Sequence, residues 1–406
     1  MIGLVLEGGG ARGSYQIGAY KALKEEAYDF QGVCGTSIGA LNGALIAQGD
    51  EEKAYDLWAN LQPSELFGIP IKSWNLLSGK DLQLNDLPEL LKVVQNLLHQ
   101  KGLDIQKVKD LLHQIIHEET LRKSPMDFGF ITYSLTDRKA LEYFKENVPE
   151  GKMVDYILAS ANLPIFHLEK TEGKVLLDGG VYDNLPIQLL TKKGYTKLVI
   201  IRTLALGVVR KFDKKDLDIL CIEPSDDLGN ILDFNPEQAK LNLQLGFFDV
   251  KKTLHQLKGS KYYIEPKKEE LHYVDLIKNL SNENLDEIAQ TMGLQDISPM
   301  RFLFEHLMPR VAEALNLHQN STYEDIVIGV AEWMAEKLGI ERFKIYSVND
   351  FLNEIRQHPK AEKVFQKPKT SQLLQIKNEL ISLLFRETIL KEISWFIIHR
   401  TNHANQ

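Results

Sequence analysis

A chain of 406 residues with 56 acidic and 48 basic side chains has a net charge of −8. That balance, with no long arginine or lysine tract, excludes broad binding to nucleic-acid phosphates. The length predicts two or more domains with ordinary packed cores, and two cysteines, Cys34 and Cys221, imply no disulfide framework and a reducing, cytoplasmic setting.

The chain opens Met-Ile-Gly-Leu-Val-Leu-Glu, without a basic stretch and with too short an apolar run for a signal peptide. No run reaches the length of a transmembrane helix, so a soluble protein with at most peripheral membrane contact is expected. Ile2–Leu6 predicts a strand, broken by four glycines in six residues. A helix follows from Ser14, with Ile17, Tyr20, Leu23 and Ala27 on one face. Phe30–Thr36 predicts a second strand, and Ile38–Gln48 a helix of small residues. This alternation predicts an α/β fold, a parallel sheet with helices on both faces. Residues 51–124 read as a helix-rich insertion broken by Pro63, Pro70 and Pro88. Its stripe of Leu87, Leu90, Leu91, Val94, Leu97 and Leu98 suits packing onto the sheet or a lid over a lipid cleft.

Strand character resumes at Met126–Ser134, with Ala140–Phe144 as a pairing partner. Val154–Asn162 predicts a helix ending before Leu163-Pro164. Strands are expected at Lys174–Leu177, Lys197–Thr203 and Asp218–Glu223, then a helix over Pro236–Leu257 with Leu241, Leu245 and Phe248 on one side. Beyond Pro266 no strand is evident. Amphipathic helices are expected at Met300–Leu317, Tyr323–Leu338, Asp350–Arg356 and Gln372–Ile398. The expected division is therefore 1–265 and an all-α region 266–406. The last helix suits core packing, a membrane interface or a dimer contact.

Two glycine turns concentrate the chemistry. The first is Gly8-Gly9-Gly10-Ala11-Arg12-Gly13; the second is Gly35-Thr36-Ser37-Ile38-Gly39. A strand that breaks sharply into a helix presents backbone N–H groups that suit an anion. The second turn has the G-x-S-x-G form of a nucleophile elbow, with a strand before it and a small-residue helix after it. The first also matches the G-x-G-x-x-G of dinucleotide sites, but Asp29 precedes the next strand, where that fingerprint needs an acid at its end. Nucleotide binding and a purely structural glycine turn both stay open on this reading.

A serine nucleophile needs a base. None of the eleven histidines follows a strand in the manner of a catalytic loop; His167, just after Leu163-Pro164, comes nearest. Asp178 ends an apolar strand and precedes Gly179-Gly180. It is either a turn aspartate or a partly desolvated base with a raised pKa.

Together these residues resemble the patatin-like phospholipase family. Gly8–Gly13 is similar to that family's G-G-G-x-R/K-G loop, Gly35–Gly39 to its serine elbow, and Asp178-Gly179-Gly180 to its D-G-G/A motif. Ala159-Ser160-Ala161-Asn162-Leu163-Pro164 resembles its A-S-x-x-x-P segment. The likeness covers roughly residues 1–260. It implies a three-layer α/β/α domain and a Ser37–Asp178 dyad without a catalytic histidine. It further implies an oxyanion loop of Gly9, Gly10, Ala11 and Arg12 N–H groups, with the Arg12 side chain near an anionic head group. Phospholipids and related fatty-acyl esters are the implied substrates, with no metal and no cofactor. A catalytically silent lipid-binding or scaffold protein of the same fold is the alternative.

Overall fold

The structure is a computed structural model. It describes residues 1–67, 105–162 and 170–267, most of 270–365, and a few residues between 387 and 394. The chain divides into two compact units, 1–251 and 252–406.

The N-terminal unit is built on an eight-stranded, mostly parallel sheet. Its strands are β1 (Ile2–Leu6), β2 (Gly32–Thr36), β3 (Asp127–Ser134), β4 (Lys139–Phe144), β5 (Lys170–Thr171), β6 (Lys174–Asp178), β7 (Lys197–Ile201) and β8 (Asp218–Ile222). The order is β5-β6-β3-β2-β1-β7-β8, with β4 also paired to β3. β1 pairs in parallel with β2 and β7, β2 with β3, and β7 with β8; the pairs of β3 with β4 and β6 are antiparallel. The expected strands are all present, within two residues at their ends.

Central strands are covered on both faces, which is why β1 and β2 are apolar without alternation. The pleat sends Val33 and Cys34 to opposite sides. Val33 faces α2 (Ile38–Ala47), where a Cβ on Gly43 would sit 3.4 Å from Val33 Cγ2. Cys34 joins Val5 and Ile131 in a cluster with Leu185, Leu189 and Leu190, the last two on the helix Ile187–Lys192. The unit therefore has helix, sheet and helix layers.

Two helix expectations are corrected. α1 (Gly13–Glu25) ends before Ala27, which is exposed and has φ 61°. The long helix Pro236–His255 leaves Leu241 38% exposed and buries Asn242, Leu243, Leu245, Gly246 and Asp249. The cause is a close helix crossing. A Cβ on Gly18 would meet Leu243 O at 1.9 Å, and one on Gly246 would meet Tyr15 O at 2.1 Å. Backbone contact through two glycines, not a leucine stripe, turns this helix.

In the C-terminal unit, Tyr263–Glu265 pairs in parallel with Ile345–Ser347. The expectation of no strand beyond Pro266 is thus wrong by one three-residue strand, too short to show a period. Tyr323–Leu338 is a helix as expected, with a Thr322/Asp325 capping box and a left-handed Gly339 at its end. Helical turns run through Pro299–Ala314 and over Val348–Gln357. The carboxylate of Glu332, on the helix Tyr323–Leu338, accepts four hydrogen bonds from Ser260, Lys261 and Tyr262. The Leu87–Leu98 stripe and nearly all of Gln372–Ile398 lie outside the described residues. No described helix is long and apolar enough to cross a membrane.

Candidate active site

β3 is longer than its neighbour β2. Its residues 127–131 pair with β2, and residues 132–134 pair with β6 running the opposite way. β4 pairs with 129–134, so β2 and β6 must share the other edge. They meet there end to end: Thr36 pairs with Ile131, and Asp178 with Thr132, the next residue. This register brings together Ser37 and Asp178, which lie 141 positions apart in sequence.

Ser37 sits between β2 and α2 with φ 58° and ψ −126°. A serine held at positive φ is strained, and such strain marks functional turns. Two glycines make the turn possible. A Cβ on Gly35 would lie 2.2 Å from the Gly39 carbonyl carbon and oxygen, and one on Gly39 would lie 2.5 Å from Leu6 O. Ser37 N–H donates to Ser160 Oγ at 3.1 Å, and Ser160 Oγ–H donates to Ile131 O at 2.6 Å. Ser160 therefore clamps the elbow to β3.

Asp178 is 4% exposed. Its backbone N–H donates to Asn162 O at 2.9 Å, and Oδ1 accepts the Gly180 N–H at 2.7 Å. Oδ2 makes no hydrogen bond of normal geometry. Burial pushes the acid up to about 6, against the lowering effects of the nearby Ser37 hydroxyl and the Gly180 N–H. The serine thus stands close enough to act on the carboxyl without a well-formed bond, as catalytic pairs often do before substrate arrives. Gly179 lies flat on β3, where a Cβ would meet Ile131 O at 2.3 Å. A second buried acid, Asp183, is also pushed up by burial to about 6.

The first glycine turn lies after β1, at the same carboxyl edge of the sheet. Gly10 has φ 56°, and a Cβ there would overlap Ile231 O at 2.1 Å. Ala11 N–H donates to Ile231 O at 2.8 Å, and Arg12 N–H to Gly9 O at 3.2 Å. The N–H groups of Gly9, Gly10 and Ile38 have no acceptor among the described residues. Arg12 differs from the expected cation near a head group. Its guanidinium bonds to the carbonyls of Gly229, Thr203 and Leu204, at 2.8 to 3.1 Å, and straps three loop segments together. Gly8 is held from both sides. Its N–H donates to Asn184 O, and its carbonyl accepts from Asn184 Nδ2 and Thr203 Oγ1. Gly13 packs against Ile38 and Trp58.

An apolar cleft of about 900 Å3, counting its open mouth, has Gly10 and Ser37 in its wall. Most of the rest comes from the insertion, including Leu57, Trp58, Phe67, Val108, Leu111 and Ile115. Among the described residues, Asn42, which accepts a hydrogen bond from Trp58 Nε1, is the one polar side chain there besides Ser37. Among the described residues no histidine lines it; His167 lies outside them.

Sequence reasoning missed Ser160, Asn162, Asn184 and Thr203 as parts of this site. Ser160 and Asn162 stand within the Ala159–Pro164 segment, and Asn184 six residues after Asp178. Nothing local to Thr203 signalled its bond to Gly8.

The patatin-like phospholipase family model matches residues 4–191. An uncharacterized NTE family protein of Mycobacterium tuberculosis is 26% identical over 188 residues, 46% of this chain and 44% of that protein. The lysophospholipase NTE1 of Kluyveromyces lactis is 30% identical over 199 residues, 48% of this chain and 12% of that protein. Neuropathy target esterase sws of Drosophila melanogaster is 26% identical over 305 residues, 71% of this chain and 18% of that protein. The chain thus spans less than half the length of each of these curated relatives.

Proposed function

Residues 4–191 belong to the patatin-like phospholipase family, and from that premise we propose that the protein is a lipid acyl hydrolase working through Ser37 and Asp178. The observation that carries this reading is a buried carboxylate oxygen, Asp178 Oδ2, without a partner beside a strained serine in the wall of an apolar cleft. The cleft suits the hydrocarbon of a fatty-acyl chain and directs its ester to Ser37.

In the proposed reaction Ser37 Oγ attacks the acyl carbonyl carbon while its proton passes to Asp178 Oδ2. The N–H groups of Gly9, Gly10 and Ile38 are the oxyanion donors we assign; each such donor typically contributes ~3 kcal/mol in the transition state. The carbon–oxygen bond to the alcohol breaks, and Asp178 returns the proton to the leaving oxygen. Water then attacks the acyl–Ser37 ester, giving its proton to Asp178, and the fatty acid departs as Ser37 recovers its hydrogen. Ala11 and Arg12 shape the loop rather than face the oxyanion, since their N–H groups already have acceptors. The substrates assigned are phospholipids, lysophospholipids and related fatty-acyl esters.

An alkyl fluorophosphonate tests the nucleophile directly. Peptide mass spectrometry should find one adduct, on Ser37, and Ser37→Ala should take up none. Stable labelling elsewhere, or no labelling of protein that turns over esters, would refute the assignment.

The base can be followed by pH. Asp178 must be ionised to accept a proton, so kcat/KM should rise about tenfold per pH unit up to about 6 and level above it. Asp183 has a similar pKa, so the profile should be repeated in Asp183→Asn. If that limb vanished with Asp183, the base assignment to Asp178 would lose its support.

A further inference from the structure

After β7 the chain runs Thr203-Leu204-Ala205-Leu206-Gly207-Val208-Val209-Arg210-Lys211-Phe212-Asp213-Lys214-Lys215. Leu204 is 48% exposed, Leu206 99%, Val208 50% and Val209 42%; Val181, on the neighbouring aspartate loop, is 47% exposed. Single exposed apolar residues are ordinary, but a cluster of large ones on one loop marks an interaction surface. Directly after it, residues 210–216 carry four cations against two carboxylates, Asp213 and Asp216, in a chain whose net charge is −8. Arg210, Lys211, Lys214 and Lys215 are all exposed.

The loop is fixed in place. Leu204 holds φ 51°, a strained conformation for a leucine. Its N–H donates to the buried Glu7 carboxylate at 3.0 Å, and its carbonyl accepts from Arg12. Glu7 is itself paired with Arg202 at 3.0 Å. Further along, Val208 N–H donates to Gly180 O at 3.0 Å, and Val208 O accepts from Asn184 N–H at 2.6 Å. One loop is thus bonded to the first glycine turn and to the Asp178 loop, at the edge of the sheet that carries Ser37. Strain and hydrogen bonds are used here to hold leucine and valine side chains in water.

We propose that residues 204–215 are a docking element that seats this edge of the sheet on an anionic lipid–water interface. The apolar side chains enter the acyl boundary while the lysines meet acidic head groups, the pairing that gives peripheral proteins their grip. A neutral protein partner would match the apolar tip but not the lysines behind it. The proposal rests on the acyl-hydrolase reading for its purpose, since a lipid substrate must be drawn from such a surface.

The test uses the full chain and vesicles of phosphatidylcholine, with or without 30 mole per cent (a chosen, roughly physiological fraction) of phosphatidylglycerol. Flotation should show binding that is stronger on the anionic vesicles. Leu206→Asp with Val209→Asp should lower that binding about tenfold or more. Lys211→Glu with Lys214→Glu should remove the preference for phosphatidylglycerol, as each cation near an acidic surface counts for about fivefold. Both double variants should hydrolyse a soluble, monomeric short-chain ester as the parent does, which also shows that they fold. Ser37→Ala should float like the parent, because docking needs no catalysis. Vesicle binding without any ester hydrolysis would sink the hydrolase reading and leave the docking surface standing. Ester hydrolysis without vesicle binding, or binding unchanged in both variants, would sink the docking surface alone. A concentration-dependent doubling of mass in light scattering, lost in Leu206→Asp while flotation is unchanged, would assign the loop to a second copy and overturn the proposal.

Discussion

Replacing Asp178 by asparagine is expected to remove activity and, at neutral pH, to stabilise the N-terminal unit. The two effects share one cause. Burial makes the ionised carboxylate unfavourable, so the folded chain holds the Asp178 proton up to about pH 6, against an ordinary aspartate value of 3.8. The sign follows from proton counting. Between pH 3.8 and 6 the folded state binds more protons than the unfolded one, so this group's contribution to stability falls as pH rises through that window. Above it the penalty is complete, about 3 kcal/mol for the 2.2 units between 3.8 and 6. Asparagine keeps an oxygen for the Gly180 N–H but carries no charge. It should therefore recover up to about 3 kcal/mol at pH 8 and almost nothing at pH 4. Loss of the base should lower kcat/KM by about 100- to 10,000-fold. Thermal unfolding of both proteins at the two pH values, with esterase kinetics, checks the pair. An Asp178→Asn protein that is less stable than the parent at pH 8, or that retains full activity, would show that the carboxylate is a structural turn group.

Much of this site could be read from local pattern. Apolar runs ending in glycine marked β1, β2 and β6, because a strand that stops at a tight turn needs residues without a Cβ. Ser37 and Asp178 were conspicuous since each stands at such a stop. What local pattern could not supply was the reason they meet. That depends on β3 outrunning β2 by three residues, so that β6 completes the same edge. Nothing in Asp127–Ser134 alone indicates which partners its two halves take.

Arg12 shows a different limit. A guanidinium in a glycine-rich turn suggests an anion, yet its partners are carbonyls about 190 to 217 positions away. Long-range satisfaction of polar groups leaves no periodic trace in sequence. The same holds for Leu241: Leu241, Leu245 and Phe248 suggest one buried side for the helix Pro236–His255, while the real contact runs through Gly246 and Gly18. Small residues that admit a backbone are easily passed over when apolar bulk is the guide. Conversely, the exposed Leu206 is invisible as such to composition, which counts it toward the core.

Gly35→Ala is the second large effect, and it separates the geometry of the elbow from its chemistry. The added methyl carbon would stand 2.2 Å from the carbonyl carbon and oxygen of Gly39 and 2.8 Å from Ala40 N. These are backbone atoms of α2, so no side chain can swing aside to make room. Gly39 in turn lies against the Leu6 carbonyl of β1 with no room for a Cβ of its own, so α2 is seated directly on the backbones of both strands and cannot slide along them to make room. The substitution must therefore separate strand from helix, at a cost of about 3 kcal/mol or more, the upper end for an overpacked site because backbone rather than side chain must move. The shift would carry Ser37 away from Asp178, since Ala40 and Leu41 N–H groups are bonded to the Ser37 carbonyl. Gly49→Ala provides the comparison. Gly49 has φ 82° with nothing within 4 Å of its would-be Cβ, so the change costs only the backbone strain, about 1–2 kcal/mol. Thermal unfolding should rank Gly35→Ala well below Gly49→Ala. Fluorophosphonate labelling should fail in the first and proceed at the parent rate in the second. If Gly35→Ala matched Gly49→Ala in both measurements, the close packing of β2, α2 and β1 would not be what holds Ser37 in place.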